Sequence, residues 1–241
     1  MLIIMFQECY ELEFLDLSNF DTSIVMDMSY MFKLCQKLKE IKGINKFKTN
    51  KVTNMWNMFG DCKELEYLDL SNFETPIVID MKSMFYNCNK LKEIKGINKF
   101  KTNNVFYMSS IFESCYELEN LDLSNFDTSH TIDTSFMFNN CYKLREIKGI
   151  NKFNTSSVIN MRAMFQCCYE LKYLDLSNFD TSNTSDLSYM FSQCNKLKYL
   201  NISKFKPYDN TENMFLFDTN NECEFIAENE TFVALFNSSN N

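Results

Sequence analysis

Residues 80–102 read DMKSMFYNCNKLKEIKGINKFKT, and the rest of the chain repeats this stretch. Its Met-Phe step recurs with the phenylalanine at Phe6, Phe32, Phe59, Phe85, Phe112, Phe138, Phe165, Phe191 and Phe215. The intervals alternate between 26 and 27 residues up to Phe191, and the last interval is 24. Self-similarity at such a period is typical of stacked repeat proteins. The sequence therefore predicts one elongated repeat domain.

Composition and charge narrow the classes of partner. The chain has 241 residues, of which 45% are apolar, so it has enough apolar material for a folded core. Its formal net charge of −8 repels nucleic acid and acidic membrane surfaces. The apolar run from Met1 to Phe6 is too short for a signal peptide. We therefore expect no nucleic-acid partner and no direct membrane insertion.

The segment around each recurrent phenylalanine has the spacing of one helix face. In the quoted repeat, Met81, Met84, Phe85, Cys88 and Leu91 fall at offsets 0, 3, 4, 7 and 10. The residue five before the phenylalanine is an Asp or Asn in seven of eight repeats, and these residues are strong helix N-caps. This column is Asp27, Asn54, Asp80, Tyr107, Asp133, Asn160, Asp186 and Asn210. The pattern predicts a short helix in every turn.

A short strand is predicted after each of these helices. Leucine and isoleucine alternate with polar residues, as in Leu118, Leu121 and Leu123 or Leu144, Ile147 and Ile150. Because each strand returns after only 26 or 27 residues, neighbouring strands should be parallel and form one continuous sheet. The fold class predicted is α/β, with one parallel sheet on one face of a solenoid and short helices on the other.

Three of the four glycines account for the longer repeats. Gly43, Gly96 and Gly149 each occupy the extra position of a 27-residue unit. A lone glycine within a strand pattern is typical of a β-bulge, where the backbone needs a positive φ. The true repeat is therefore a pair of turns, 53 residues long.

Charge alternates with the same two-turn period in three columns. Opposite charges on neighbouring strands are mildly favourable, so the columns are expected to neutralise every row and to fix the stacking register. The first column is Glu11, Lys37, Glu64, Lys90, Glu117, Lys143, Glu170 and Lys196; the second is Asp16, Lys42, Asp69, Lys95, Asp122, Lys148, Asp175 and Asn201; the third is Asp21, Lys48, Glu74, Lys101, Asp127, Asn154, Asp180 and Lys206.

The two ends of the chain depart from the repeat. Residues 1–205 are expected to form a solenoid of eight turns, with an incomplete first turn. Pro207 interrupts the pattern, so residues 206–241 are expected to be a degenerate last repeat and an irregular C-terminal cap. We also expect the chain to be a segment of a longer protein.

These motifs carry a family resemblance. LDLSNFDTS at residues 15–23, 121–129 and 174–182, followed by M-x-x-M-F-x-x-C-x-x-L, resembles the BspA-like leucine-rich-repeat family over residues 1–205. The resemblance implies a right-handed leucine-rich-repeat solenoid, a surface protein, and a role in cell adhesion or protein–protein interaction. The alternate unit, IKGINKFKT, is not the commonest form in that family.

The cysteines predict a buried ladder of free thiols. Their 26–27 residue spacing fits no zinc motif, and side chains stacked in one column point the same way, which suits disulfide bonds poorly. The ladder is Cys9, Cys35, Cys62, Cys88, Cys115, Cys141, Cys168 and Cys194, while Cys167 and Cys223 lie outside it. A metal or disulfide role is the less favoured alternative. Unpaired thiols favour a reducing compartment, whereas the family resemblance favours the cell surface.

The residues needed for catalysis are scarce. The one histidine, His130, stands in a turn, and there is no phosphate-binding glycine loop. Five N-x-S/T triplets are expected by chance in so asparagine-rich a chain. We therefore expect no enzyme, no catalytic or metal-binding residue, and no cofactor.

The exposed positions of the strands remain as the candidate binding surface. Aromatic residues beside charges are the usual anchors of an interface, and solenoids bind along an open sheet. The candidate residues are Phe14, Tyr67, Tyr173 and Tyr199, with Asp69, Lys95, Asp122, Lys148 and Asp175. The sequence predicts a non-enzymatic module for a protein or glycan partner. The alternatives are that these aromatics merely pack against neighbouring long side chains, and that the chain is a structural spacer in a longer surface protein.

Overall fold

The computed structural model is a solenoid of parallel strands and describes residues 5–207, 210–217 and 222–239. The strands within these residues are β1 (Phe14–Asp16), β2 (Glu40–Lys42), β3 (Tyr67–Asp69), β4 (Glu93–Lys95), β5 (Asn120–Asp122), β6 (Glu146–Lys148), β7 (Tyr173–Asp175), β8 (Tyr199–Asn201) and β9 (Glu224–Ile226). Short 3₁₀ helices span Ile44–Lys46, Ile97–Lys99 and Ile150–Lys152, and α1 spans Glu230–Ser239.

Each repeat strand from β2 to β8 has one buried residue between two outward ones, as the alternation predicts, and in β1 the middle residue is half-buried. Leu68 and Ile94 face the core, while Tyr67 and Glu93 are exposed. The register pairs equivalent residues of successive turns, so Leu68 lies beside Ile94 and Asp69 beside Lys95. The parallel direction and the half-buried strands are confirmed.

The prediction of one continuous sheet is wrong. Strands pair as β1-β2, β3-β4 and β5-β6, and the last sheet is β7-β8-β9. Each break follows one of the three repeat glycines, which have φ between 83° and 89° and lie directly after the strand. They start a 3₁₀ turn and are not strand bulges, although the positive φ itself is confirmed. A Cβ on Gly96 would lie 2.5 Å from Ser71 Cα, so this turn packs tightly on the turn before it.

The predicted short helices are wrong as well. From Met28 to Cys35, alternate backbone N–H groups point to different partners, which a helix does not allow. Those of Met28, Tyr30, Phe32 and Leu34 donate to carbonyls of the next turn at 2.8–2.9 Å. Those of Met31, Lys33 and Cys35 donate to the carbonyl three residues back. The same pattern recurs in later turns. We call this flank of the solenoid, from Met28 to Cys35 and its equivalents in the other turns, the ladder side.

This pattern requires left-handed backbone at two positions per turn. Tyr30 and Leu34 have φ of 59° and 64°, and their counterparts Ser83 and Asn87 have φ of 56° and 59°. Such conformations cost about 1–3 kcal/mol each in a residue other than glycine. The hydrogen bonds between turns offset this strain, because they satisfy the alternate backbone N–H groups from Met28 to Cys35.

The predicted N-cap column instead forms a second parallel ladder. Parallel bridges join Asp27, Asn54, Asp80, Tyr107, Asp133, Asn160 and Asp186 in an unbroken series. The Asp27 carboxylate does accept a bond from the Ser29 N–H at 2.8 Å, which is the local geometry that a cap would use. The side-chain chemistry was therefore predicted correctly, but it caps a turn and not a helix.

The core is built from columns of equal side chains. The recurrent phenylalanines stack from Phe6 to Phe215 with ring centroids 5.4–5.9 Å apart and nearly parallel planes. Beside them each ladder cysteine from Cys35 to Cys194 donates to the carbonyl of the phenylalanine one turn back, as Cys88 does to Phe59 at 3.1 Å. All ten cysteines lie among the described residues and none forms a disulfide bond, and those from Cys35 to Cys194 in the ladder are buried.

The C-terminal segment is more regular than predicted. Strand β9 continues the last sheet, and α1 lays Phe232 and Phe236 over the end of the core. Phe236 stacks on Phe225 at 4.1 Å and meets Phe215 edge-on. The segment that was expected to be irregular thus contains a strand and a helix, while the boundary at residue 206 stays a prediction.

Candidate recognition surface

The nine candidate residues all lie on repeat strands and on the same flank, which we call the strand face. Phe14, Tyr67 and Tyr173 are 61%, 45% and 60% exposed, whereas Tyr199 is half-buried. The aromatic residues occupy the first position of β1, β3, β7 and β8, and the charged residues occupy the third position of β3 to β7. The strands are only three residues long, so each presents two outward side chains around one buried anchor.

Charged candidates are joined in pairs within each sheet. Lys95 binds Asp69 and Lys148 binds Asp122, each at 3.1 Å, and Lys42 binds Asp16 at 2.9 Å. The first predicted column pairs in the same way: Lys37 with Glu11, Lys90 with Glu64, Lys143 with Glu117 and Lys196 with Glu170, at 2.5–2.6 Å. Asp175 differs because Asn201 stands opposite it in the register.

The expectation that every row is neutralised is wrong in two respects. Among the described residues, ion pairs form within a strand pair but not across the breaks, so Lys42 has none with Asp69. The third column also lacks ion pairs in the described part of the chain. Its acids serve the turn instead, since the Asp21 carboxylate accepts from the Ser23 N–H at 3.0 Å.

Sequence reasoning missed a fourth column, which lies one residue before each strand. Lys39 binds Glu13, Lys92 binds Glu66 and Arg145 binds Glu119, at 2.7, 2.6 and 3.1 Å. The sequence pattern contained this column, because its residues stand seven positions after each recurrent phenylalanine. The column then ends with two successive cations, Lys172 and Lys198.

Hydrogen bonds at the strand ends hold the aspartates in the charged form. Ser124 donates to Asp122 through its hydroxyl and its N–H, and together with Lys148 it lowers the pKa of this carboxyl to about 2. Asp69 and Asp16 have pKa values below the usual range for the same reason, with Ser71 and Ser18 as donors. These three carboxyls therefore stay ionised at any ordinary pH.

Two tyrosines of the strand face form a stacked pair. The rings of Tyr173 and Tyr199 are nearly parallel, at 7°, and their centroids are 4.4 Å apart. Beside Tyr173, the break between β6 and β7 opens into a groove of about 580 Å³. Its lining includes Arg145, Glu146 and Lys148 on one side and Tyr173 and Asp175 on the other.

An exposed apolar column was also missed. Met26, Ile79, Phe106 and Ile159 are 62%, 47%, 41% and 51% exposed and lie beside the second parallel ladder. They recur six before the phenylalanine, so the signal was present in the sequence. Exposed apolar side chains in a row are a common feature of interaction surfaces.

The structure also shows the surroundings of the histidine and the cysteines, which were considered for catalysis and metal binding. His130 lies in a turn, where its ring meets Phe106 edge-on at 6.2 Å. Burial raises the pKa of Cys88 and of the other deeply buried thiols of the ladder well above the ordinary value. No grouping of three His, Cys, Asp or Glu side chains suited to a metal ion occurs within the described ranges. No helix among the described residues is long and apolar enough to cross a membrane.

Solved structures with some similarity to the chain include two bacterial proteins. A leucine-rich cell surface protein from Faecalibacterium prausnitzii A2-165 is 13% identical, with a TM-score of 0.32 over 85% of this chain and 76% of that one. An internalin from Listeria monocytogenes is 12% identical, with a TM-score of 0.34 over 87% of this chain and 67% of that one. No curated protein matches the sequence.

A family model covers most of the repeats. It matches residues 1–117, 69–148 and 142–226, and its description is "Mycoplasma protein of unknown function, DUF285". These matches extend over far more than half of the 241 residues. The chain therefore belongs to the DUF285 family.

Proposed function

We propose that the chain is a non-enzymatic recognition module that binds a protein or glycan partner through its strand face. The observation that carries the proposal is the stacked pair of aromatic rings, the exposed Tyr173 on the half-buried Tyr199, beside an open groove in a surface that is otherwise charged. Rigid aromatic rings contribute large contact area at small conformational cost, so they are the usual anchors of an interface. A stack of turns holds them in fixed positions along an extended surface.

The sequence motifs support the same proposal. LDLSNFDTS and the following methionine–phenylalanine segment resemble BspA-like leucine-rich repeats, which implies a right-handed leucine-rich-repeat solenoid with a role in cell adhesion. The low helix content on the ladder side departs from the α/β form of such a repeat. The location at a cell surface rests on this resemblance alone.

A purely structural spacer is the second candidate, and the ion pairs favour it. The charges of the strand face are largely used within the protein, because Asp69, Glu66 and Glu64 are each bound by a lysine of the next turn. Charges that are paired in this way fix register and are less available to a partner. Under this alternative the exposed tyrosines contribute nothing beyond local packing.

A binding experiment with matched variants separates the two candidates. The probes are arrays of purified extracellular-matrix proteins and of defined oligosaccharides. Tyr67→Ser, Tyr173→Ser and Tyr199→Ser are combined in one variant, and Tyr10→Ser, Tyr107→Ser and Tyr169→Ser, exposed tyrosines outside the strands, form the control. The module requires that the first variant loses binding and the control keeps it. Equal binding by both variants would show that the strand-face tyrosines are not the binding surface, which contradicts the proposal. Absence of binding by the unmodified chain favours the spacer.

A further inference from the structure

The groove between β6 and β7 is a gap in the sheet with polar walls. No strand pairing joins β6 to β7 in the described part of the chain, so the outer edges of the two strands face each other across the opening. Unpaired strand edges present backbone donors and acceptors. A ligand that enters the groove therefore meets hydrogen-bonding groups at its floor as well as at its rim.

Tyr173 offers one free ring face to this groove. Its ring lies parallel to that of Tyr199 at 4.4 Å, and Tyr199 belongs to the next turn. One face of Tyr173 is therefore covered, and the other looks back towards the preceding turn, where β6 carries Glu146 and Lys148. The residue is still 60% exposed. The stack thus fixes the orientation of the ring while leaving its outer face open.

The rim of the groove combines both signs of charge with amides. Arg145 and Lys148 are held in place by Glu119 and Asp122 of the turn before. Glu146 and Asp175 form no ion pair within the described residues. The rest of the lining is Asn120, Asn151, Ile147, Gly149 and Ile150. A ligand of strong single charge would meet repulsion at one part of this rim. A neutral ligand with many hydroxyl groups finds both donors and acceptors.

We propose that this groove binds a sugar ring of a neutral oligosaccharide, with Tyr173 as the platform on which the ring stacks. The inference rests on the proposed recognition function and names its partner class. A pyranose has an apolar C–H face and a rim of hydroxyls. The C–H face carries partial positive charge and suits the negative face of an aromatic ring, while carboxylates and amides accept from the hydroxyls. Specific pockets combine an apolar surface with a few fixed polar groups in the same way.

The other breaks of the sheet supply comparisons within the same chain. The break between β2 and β3 repeats the residue types, with Glu40 and Lys42 opposite Tyr67 and Asp69. There the tyrosine is paired with Glu93 and has no stacking partner in β4. The break between β4 and β5 has Asn120 in place of the tyrosine. The proposal therefore assigns the strongest site to Tyr173, a weaker one to Tyr67 and none to the middle break.

Ligand-observed NMR on the whole chain tests the proposal. The probes are tetrasaccharides of glucose, galactose, mannose and N-acetylglucosamine, at millimolar concentration. We expect saturation transfer from the protein to the C–H protons of at least one of them. Tyr173→Ala should weaken this binding by at least about tenfold, whereas Tyr173→Phe, which keeps the ring, should preserve it. Tyr107→Ala, which removes a tyrosine of the second parallel ladder that is 44% exposed, is the matched control.

Each outcome bears on the proposal. Binding that keeps its original strength in Tyr173→Ala, or the absence of transfer to all four tetrasaccharides, overturns it. The recognition function stands separately, because binding of an array protein that the triple serine variant abolishes would support the strand face without a sugar site. If Tyr173→Ala unfolds at the same temperature as the unmodified chain, a loss of binding comes from the missing ring and not from unfolding.

Discussion

The ladder side and the strand face of each turn are joined to their neighbours in different ways. On the ladder side, Met55, Asn57, Phe59 and Asp61 donate backbone hydrogen bonds to the next turn, and the series continues through every junction from Met28 to Gln193. On the strand face the backbone pairing stops after the second, fourth and sixth turns, whereas β8 pairs on to β9. The ladder side therefore holds the stack together, and the strand face carries the variation, with gaps, aromatic rings and surface charge.

The largest expected difference between the two flanks concerns a core ring. Phe85 is fully buried and stacks on Phe59 and Phe112, each at 5.7 Å. Phe85→Ala should lower the free energy of unfolding by about 3–5 kcal/mol, because it leaves a cavity in the continuous stack. Tyr67→Ala on the strand face should change it by no more than about 0.5 kcal/mol. Urea unfolding followed by circular dichroism measures both, and equal effects would contradict the division of roles.

A second difference concerns the glycines. Gly96→Ala should cost about 1–3 kcal/mol or more, because its φ is 89° and the new Cβ would lie 2.5–2.8 Å from backbone atoms of Ser71 and Leu70. Gly60 on the ladder side is the control. Its φ is not positive, and the nearest atoms to a Cβ there belong to the side chain of Asn57, with Oδ1 at 1.5 Å, and not to the backbone. A side chain can shift at smaller cost than the backbone. Thermal unfolding should show a larger loss of stability for Gly96→Ala than for Gly60→Ala. A larger loss for Gly60→Ala would mean that the critical close approach lies on the ladder side and not at Gly96.

The strand face was largely predictable from the sequence. Its buried Leu and Ile residues, its register and its ion pairs follow from a spacing that repeats in every turn, as Asp69 and Lys95 illustrate. The breaks in the sheet were not predicted, because pairing between strands is not written in any single repeat. Gly43, Gly96 and Gly149 marked the positions of the breaks, but a β-bulge and a strand-ending turn both call for a positive φ.

The prediction of a helix on the ladder side was wrong for a physical reason. Offsets of 0, 3, 4 and 7 place Met81, Met84, Phe85 and Cys88 on one face of a helix, but a series of turns with bonds to the residue three back buries the same positions. Asn57, Asp61 and Asn87 at the positive-φ positions carried the opposite signal, because these residue types tolerate left-handed backbone. This signal was obscured because equivalent positions in other turns are Tyr30, Leu34 and Phe136.

The ladder side should also confer sensitivity to alkaline pH. Burial raises the pKa of Cys88, which is fully buried and donates to the Phe59 carbonyl. The unfolded chain therefore loses this proton at a lower pH than the folded protein, so stability is full below the ordinary thiol pKa of 9.0 and falls as pH rises above it. Cys88→Ser should reduce the slope of unfolding free energy between about pH 9 and pH 11, by at most about 1.4 kcal/mol per pH unit. Cys223→Ser, near the C-terminal end, should change it less.

The smallest effect is expected for the ion pairs of the strand face, and it tests whether they act only within strand pairs. Lys95→Glu removes the contact with Asp69 and places like charges side by side, so we expect a loss of about 0.2–1 kcal/mol. Combining it with Asp69→Lys should restore the original stability, because the pair is exchanged within one sheet. Lys95 also faces Asp122 across the break, where no strand pairing brings the two together. A double-mutant cycle of Lys95→Glu with Asp122→Lys should therefore show a coupling energy near zero, and a coupling as large as that with Asp69 would mean that charge alone joins the strand pairs across the gaps.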